Sequence, residues 1–472
     1  MKQATDITVP SQQRRAKRRS LKAVVAVAAI SLIAAACSSS PSSSSSTTAA
    51  PASTPGVTSS SITLGATVPL TGPAASGYDE IAPAMNAVFA WKNAHGGVYG
   101  RKINYIYYDD AYNPASTATQ TRKLVLQDNI FATVGSLGTP TQTAVQGYLN
   151  SLKIPQMFIE SGCNCWSDPK YPYSSGWEPP YSVEGKILGY YIKNHFAGKK
   201  IGYFTQNDEF GQDVVKGLDM EIPSSDVVSR QTYDPTSLLS GPPANQMAAL
   251  KAAGAQVVVF ATIPAATSLA IGAAEGLNWS PQYVVDSVGA DSPTVGPLLS
   301  IIGKGKGLTA NTALNGTIFD DYIPPEAETS NAWVQVEAKL LKDYAPATYN
   351  KYGLDGNTEY GIALAYTFVQ ALEAAGPHLT RQGLLDAIAR DGKNFITPGL
   401  VPLSYSSTVH FGYEGAQVFQ YEASAPQITV PSGSWIGGKA VSPVYTTSPG
   451  AGPVNVYSGT PPPPPASLVN SA

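Results

Sequence analysis

The chain has 472 residues, enough for two domains of ordinary size, and carries 30 basic and 33 acidic side chains for a formal net charge of −3. Residues 1–36 hold 7 of the basic and 1 of the acidic groups, so residues 37–472 hold 23 basic against 32 acidic groups, a net charge of −9. This acidic balance argues against a nucleic-acid partner. Three cysteines and four scattered histidines argue against a disulfide-stapled or zinc-dependent fold, and we predict no metal and no cofactor.

The N-terminal segment has the pattern of an export signal. Basic residues at 14–19 precede an apolar run over 23–33, and small residues then lead to Cys37. The run is shorter than a membrane-spanning helix requires. The segment resembles a lipobox, although Ala34 stands where Leu is usual. We predict a lipoprotein signal peptide over 1–36, with acylated Cys37 anchoring an exported protein to the outer face of the membrane; the alternative is a secreted protein with an incidental cysteine.

Both ends of the remaining chain are rich in small and turn-forming residues. Residues 37–60 are nearly all Ser, Thr, Ala and Pro, a composition that cannot bury an apolar core, so a flexible tether is predicted. Residues 433–472 are rich in Gly, Pro and Ser and include five consecutive prolines at 461–465. A disordered tail is predicted there.

Between residues 61 and 430, short apolar runs alternate with helical patterns, which predicts βαβ units and parallel sheets. Strands are predicted over 62–67, 103–108, 130–134, 156–159, 200–205, 227–233, 257–261, 282–286 and 416–421. Helices are predicted over 81–93, 116–127, 141–152, 183–196, 211–220, 244–253, 265–275, 332–342, 358–374 and 381–389. Two successive sets of this kind predict an α/β fold with two doubly wound parallel-sheet lobes.

In open parallel sheets, ligands bind beyond the carboxyl ends of the strands. That rule selects the loops at 67–77, 135–141, 160–166, 261–265 and 286–289. The sequence has no Gly-x-Ser-x-Gly elbow, no P-loop and no His-Glu-x-x-His helix, so we predict no catalytic residues and no enzymatic activity.

Several segments, in order, resemble the type I periplasmic binding proteins, and among them the branch that binds branched-chain amino acids for ABC importers. The matching segments lie at 64–75, 95–103, 108–114, 134–139, 153–158, 208–211 and 254–260. The resemblance implies two lobes, joined by a three-crossover hinge, that close over one small molecule. Lobe one would comprise 61–180 plus 322–393, and lobe two 181–321 plus 394–432.

The resemblance also implies the site. In this family a hydroxyl and nearby N–H groups of the loop matching 135–141 hold a ligand carboxylate, and Thr139 falls at that place. Capping of the following helix by Thr139 and Pro140 is an alternative that is compatible with binding. The predicted contacts are Ser136, Gly138, Thr139, Gly162, Cys163, Asn164, Tyr78, Trp177, Tyr181, Thr262, Ile263 and Asp286.

The sequence departs from the family pattern where the ligand's ammonium is held. Tyr181 stands in place of an aspartate at the first crossover, and Asp286 is the predicted acidic anchor on lobe two. Tyr78, Trp177 and Tyr181 would suit a larger or flatter ligand, although aromatic residues of this kind also form cores. Glu184 and Lys186 begin a helix and are predicted to be solvated, and the Cys163–Cys165 spacing is predicted to be too close for an easy disulfide.

These interpretations predict a monomeric solute-binding lipoprotein. It would capture a small carboxylate-bearing molecule, amino-acid-like or an aromatic or amide compound, and deliver it to the permease subunits of an ABC importer. The alternatives are a ligand-sensing module coupled to a membrane receptor and an enzyme on the same scaffold. The sequence does not separate Sec from twin-arginine export.

Overall fold

The computed structural model describes residues 54–304 and 309–472. The predicted signal peptide, Cys37 and most of the predicted tether lie outside the described residues. Among the helices that are described, none is long and apolar enough to cross a membrane.

Strands and helices alternate through most of the described chain. The strands are β1 (Ser61–Val68), β2 (Lys102–Asp109), β3 (Ala132–Val134), β4 (Gln156–Ile159), β5 (Ser174–Gly176), β6 (Ile201–Gln206), β7 (Val227–Tyr233), β8 (Val257–Ala261), β9 (Gln282–Val285), β10 (Ile318–Asp321), β11 (Gly415–Tyr421), β12 (Ile428–Val430), β13 (Gly433–Trp435), β14 (Gly438–Thr446) and β15 (Asn455–Val456). The helices are α1 (Ala75–Tyr78), α2 (Ile81–Ala94), α3 (Pro114–Leu126), α4 (Thr139–Ser151), α5 (Tyr181–His195), α6 (Glu209–Glu221), α7 (Ala244–Ala252), α8 (Pro264–Gly276), α9 (Ser292–Ile302), α10 (Ala310–Leu314), α11 (Ala332–Tyr344), α12 (Pro346–Tyr352), α13 (Gly356–Ala374), α14 (Arg381–Asp391) and α15 (Ala466–Ser471).

Each strand and helix predicted from the sequence is present, with bounds shifted by at most a few residues, and the α/β fold class is confirmed. The sequence patterns missed several short elements. β10 has only four residues, two of them aspartates, and α9 carries Pro293 in its first turn and Pro297 inside, where proline removes a backbone donor.

The first sheet has the strand order β2-β1-β3-β4-β5 and all its recorded pairings are parallel. α2 packs against α13, which is apolar on nearly every side and buried over most of its length, as a helix must be when it lies inside a layered domain. α11 also contacts α2. Helices from late in the chain therefore return to the first sheet.

The second sheet has the order β15-β14-β11-β10-β9-β8-β6-β7. The five strands from β10 to β7 are parallel. Among them, β8 is a continuous apolar run, Val257–Ala261, as expected of a strand that is buried on both faces. β11, β14 and β15 extend it by antiparallel pairing. The residue boundaries of the two lobes stay a prediction.

The prediction of a disordered tail over 433–472 is wrong. β14 pairs with β11, so its backbone groups are satisfied within the second sheet. The tail then reaches helices that pack beside the first sheet: Trp333 Nε1 donates to the Pro462 carbonyl at 2.9 Å, and Trp91 Nε1 donates to Ser471 Oγ at 3.2 Å. Composition alone could not predict the ordered tail, because the tryptophans that donate hydrogen bonds to it lie far away in the sequence. One of these tryptophans donates to the carbonyl of a proline.

Candidate functional site

A cleft of about 1070 Å³, including the part open to solvent, lies at the carboxyl edges of both sheets. Residues that end or follow strands of both sheets line it, as the rule for parallel sheets requires. Aromatic residues and carboxyl groups are prominent in its wall, and no lysine, arginine or histidine is among the described residues that line it. The aromatic residues are Tyr78, Tyr112, Tyr181, Phe210, Phe319, Tyr322, Tyr360 and Tyr421, and the acidic residues are Glu160, Glu178, Asp291, Asp320, Asp321 and Glu326.

On the first-sheet side, the cleft meets the N-terminus of α4. Gly138 has φ 104°, and a Cβ there would lie 2.5 Å from Tyr112 Cε2. The left-handed backbone conformation and the lack of room for a side chain therefore both require glycine at this position. No described side chain caps this N-terminus. Thr139 is buried and its Oγ1 shares a 2.7 Å hydrogen bond with Ser161 Oγ. The positive dipole end of α4 therefore adjoins the cleft at Gly138 and Thr139, which suits a carboxylate.

Two buried carboxyl groups lie on the same side. Glu160 follows β4 directly, and neither of its carboxyl oxygens has a hydrogen-bond partner among the described residues. Glu178 accepts a 3.0 Å hydrogen bond from the Tyr360 hydroxyl. Burial raises the pKa of Glu178 to about 8, an effect that this hydrogen bond partly opposes. A ligand with N–H donors or a positive charge would satisfy these oxygens.

Hydrogen bonds join the two sides of the cleft. The Tyr78 hydroxyl donates to the Val288 carbonyl at 2.7 Å, and Asn164 donates to both carboxyl oxygens of Asp213 in α6, from its backbone N and its Nδ2, each at 2.8 Å. Gln206 Nε2 also donates to the Tyr112 hydroxyl at 3.2 Å. These contacts describe a closed cleft.

Five of the residues predicted as ligand contacts line the cleft: Tyr78, Gly138, Thr139, Tyr181 and Ile263. The others lie behind the wall or away from it. Ser136 Oγ accepts from the Thr67 N–H, and Thr262 Oγ1 is hydrogen-bonded to Thr267 Oγ1. Gly162 and Cys163 are buried in the loop behind Tyr181, where a Cβ on Gly162 would contact the Tyr181 ring. The side chain of Asn164 is hydrogen-bonded to Asp213.

Trp177 is a core residue and does not line the cleft. It is fully buried, and its ring packs edge-on against Tyr322, Tyr360 and Tyr413 at centroid distances of 5.2–6.3 Å. Its Nε1 donates to Thr367 Oγ1 at 3.1 Å, so the polar atom is satisfied inside the protein. Aromatic pairs of this kind stabilise cores.

Two further predictions are wrong. Cys163 and Cys165 are joined by a disulfide, because the intervening turn brings their Cα atoms to 5.1 Å. Glu184 and Lys186 are buried where solvent exposure was predicted. Lys186 Nζ finds an acceptor in the Gly450 carbonyl, at 3.0 Å, in the tail that was predicted to be disordered.

Asp286, the predicted acidic anchor, lies directly after β9 and is fully buried behind the cleft, and its neighbour Ser287 lines it. The sequence interpretation missed Glu160 and Glu178, although the strand-end rule selected the loop that Glu160 begins. Glu178 stands three residues before Tyr181, so a carboxyl group is present near the predicted first crossover. No local sequence pattern identified the lining residues at 319–327 and 356–360, because they reach the cleft only where later segments of the chain return to it.

The sequence profile described as "Periplasmic binding protein" matches residues 61–425. A Leu/Ile/Val-binding protein homolog 2 of Brucella abortus (strain 2308) is 22% identical over 331 residues, which cover 68% of this chain and 80% of that protein. Among solved structures, a branched-chain amino acid ABC transporter protein from Thermus thermophilus with bound valine is similar with a TM-score of 0.64 at 19% identity, over 82% of this chain and 97% of that one. A fatty acid ABC transporter substrate-binding protein from Thermomonospora curvata gives a TM-score of 0.68 at 21% identity, over 82% and 94%.

Proposed function

Because this chain belongs to the periplasmic binding protein family, we propose that it is an exported solute-binding protein that closes over a small molecule and delivers it to an ABC importer. The similar solved structures include one with bound valine and one that belongs to a fatty acid ABC transporter, so they do not identify the solute. The class of solute is therefore inferred from the residues that line the cleft.

The solute we propose is amino-acid-like, with a carboxylate and an amino group. The observation that supports this proposal is that two complementary features line one cleft. The first is the N-terminus of α4 at Gly138–Thr139, which no described side chain caps, and the second is the pair of buried carboxyl groups of Glu160 and Glu178. The first offers N–H donors to a carboxylate, and the second offers acceptors to an ammonium. The aromatic rings leave room for an apolar side chain between them.

Replacement of Thr139 by valine, which keeps the shape and removes the hydroxyl, is expected to weaken solute binding about tenfold or more, since a hydrogen bond to a charged group contributes about 1.5–3 kcal/mol. A thermal-shift screen of L-amino acids, including leucine and valine, would identify the solute, and calorimetry would then measure both affinities. Thr143→Val is the matched control, because Thr143 lies one turn later in α4 and outside the cleft wall. Equal affinities for the wild type and Thr139→Val would remove this hydroxyl from the site.

The protein we propose is monomeric and anchored by acylated Cys37, and its partners are permease subunits. Labelling with radioactive palmitate, compared between the wild type and Cys37→Ala, tests the anchor. A sensing role, the second candidate, predicts that deletion of the gene changes transcription and leaves solute uptake intact; an importer role predicts loss of uptake. An enzymatic role predicts turnover of the bound solute.

A further inference from the structure

Three buried carboxyl groups meet beside the cleft, at the carboxyl edge of the second sheet. β9 and β10 are parallel neighbours with Val285 opposite Phe319, so Asp286 and Asp320, which follow these residues, lie side by side. Glu184, in the first turn of α5, reaches the same point from the segment that follows the first sheet. One oxygen from each of the three side chains lies within 4.8 Å of the other two.

None of the three carboxyl groups is exposed, and each keeps one oxygen without a hydrogen-bond partner among the described residues: Glu184 Oε2, Asp286 Oδ2 and Asp320 Oδ2. The opposite oxygens are held in place. Ser287 Oγ donates to Glu184 Oε1 at 2.5 Å and Ser287 N to Asp320 Oδ1 at 3.2 Å, and Val288 N donates to Asp286 Oδ1 at 3.3 Å. Each carboxyl group therefore has one oxygen held by a hydrogen bond and one oxygen that no described residue satisfies and that an ion can ligate.

Among the residues that the structure describes, no basic side chain forms an ion pair with these three carboxyl groups. After burial, the groups that most raise the pKa of Glu184 are Asp286, Asp320 and Glu178, all of them carboxylates. Lys186, two residues along α5, directs its Nζ to the Gly450 carbonyl. An unpaired buried carboxylate is costly, and three together cost more, so the cluster must share protons or bind a cation.

We propose that Glu184, Asp286 and Asp320 bind a divalent cation, and that Ca²⁺ fits them best. Three carboxylates form an all-oxygen donor set, which favours Ca²⁺, Mg²⁺ or Mn²⁺ over zinc or copper. Ca²⁺ binds carboxylate oxygens at about 2.3–2.6 Å in a flexible geometry, whereas Mg²⁺ demands a near-ideal octahedron at about 2.0–2.1 Å and usually keeps several waters, so a buried set of three carboxylates suits Ca²⁺ better. The ion would tie the start of α5 to β9 and β10. This inference does not rest on the identity of the solute.

The test is calorimetric titration of the full chain with CaCl₂, after removal of metal by chelation and at ionic strength fixed with KCl. We expect one Ca²⁺ site in the wild type and an affinity for Ca²⁺ at least about tenfold lower in Asp286→Asn and in Glu184→Gln. Replacing a residue that only orients a metal ligand already lowers metal affinity about 10- to 100-fold, and replacing the charged ligand itself should cost at least as much. Thermal unfolding is expected to show stabilisation by Ca²⁺ in the wild type only, with the metal-free Asp286→Asn at least as stable as the metal-free wild type because repulsion is relieved.

Glu337→Gln is the matched control. Glu337 is also buried and unpartnered, in α11, but it lies outside the three-carboxylate group, so its variant is expected to bind Ca²⁺ as the wild type does. Circular dichroism checks that each variant is folded. The proposal is overturned if the wild type binds no Ca²⁺ at millimolar concentration, or if Asp286→Asn and Glu184→Gln bind it as tightly as the wild type.

Discussion

Replacement of Trp177 by alanine is expected to lower the free energy of unfolding by about 3–5 kcal/mol, the usual cost of removing a large buried aromatic side chain. The indole is fully buried among Tyr322, Tyr360 and Tyr413. Its removal leaves a cavity and also leaves Thr367 Oγ1 without the indole N–H that it accepts. The loss would be measured by urea unfolding of the wild type and the variant, followed by circular dichroism.

Trp177→Phe is the control, because it keeps part of the ring packing and removes the N–H, so we expect an intermediate loss. A Trp177→Ala protein with wild-type stability but weakened solute binding would contradict the assignment of Trp177 to the core. It would support the earlier expectation that this ring contacts the solute.

The metal-free, solute-free protein is expected to lose stability as the pH rises from 5 to 8. Burial raises the pKa of Glu178 and of Glu337 to about 8 and that of Asp355 to about 7. The ordinary values are 4.5 for Glu and 3.8 for Asp. Over this interval the folded chain keeps protons that the unfolded chain has released, and stability falls with pH wherever the unfolded state binds fewer protons.

The measurement is the thermal midpoint at pH 5, 6, 7 and 8, with chelator present and ionic strength constant. Glu337→Gln removes one of these groups at a position outside the cleft, so its midpoint should fall less steeply over the same range. A midpoint that is constant or rises between pH 5 and pH 8 would show that these carboxyl groups do not keep their protons in the folded protein.

Local sequence patterns predicted the layered fold well because its strands and helices are regular and amphipathic or wholly apolar. β8 and α13 are examples: each is recognised within its own residues. The loop at 135–141 was likewise identified as part of the site from its place after a strand, and Gly138 and Thr139 line the cleft.

The acidic character of the site could not be predicted in the same way. Glu184 looks like an ordinary first-turn acidic residue that favours the helix dipole. The pairing of β9 with β10 sets Asp286 beside Asp320, and only the packing of α5 against β10 brings Glu184 to them. The tail was misjudged for a related reason. Its glycines and prolines predict disorder by composition, whereas its strand β14 depends on the free edge of β11.

Tyr181 illustrates how one substitution was interpreted too narrowly. A phenol cannot replace a carboxylate as the partner of an ammonium, so the substitution left recognition of the amino half of a solute open, with Asp286 as the predicted acidic anchor. The structure places Tyr181 against Phe210, with a centroid distance of 4.4 Å, while Glu160 and Glu178 supply carboxyl groups from other loops. Hydrogen-bond acceptors for an amino group are therefore present at different positions.

Native mass spectrometry of the purified protein tests the central claim most directly, because a closed cleft retains its solute during purification. The proposal predicts one bound small molecule per chain that, once released, contains both a carboxylate and an amino group, and that is retained less by Thr139→Val than by Thr143→Val. A bound molecule without an amino group, or equal retention by both variants, would contradict it.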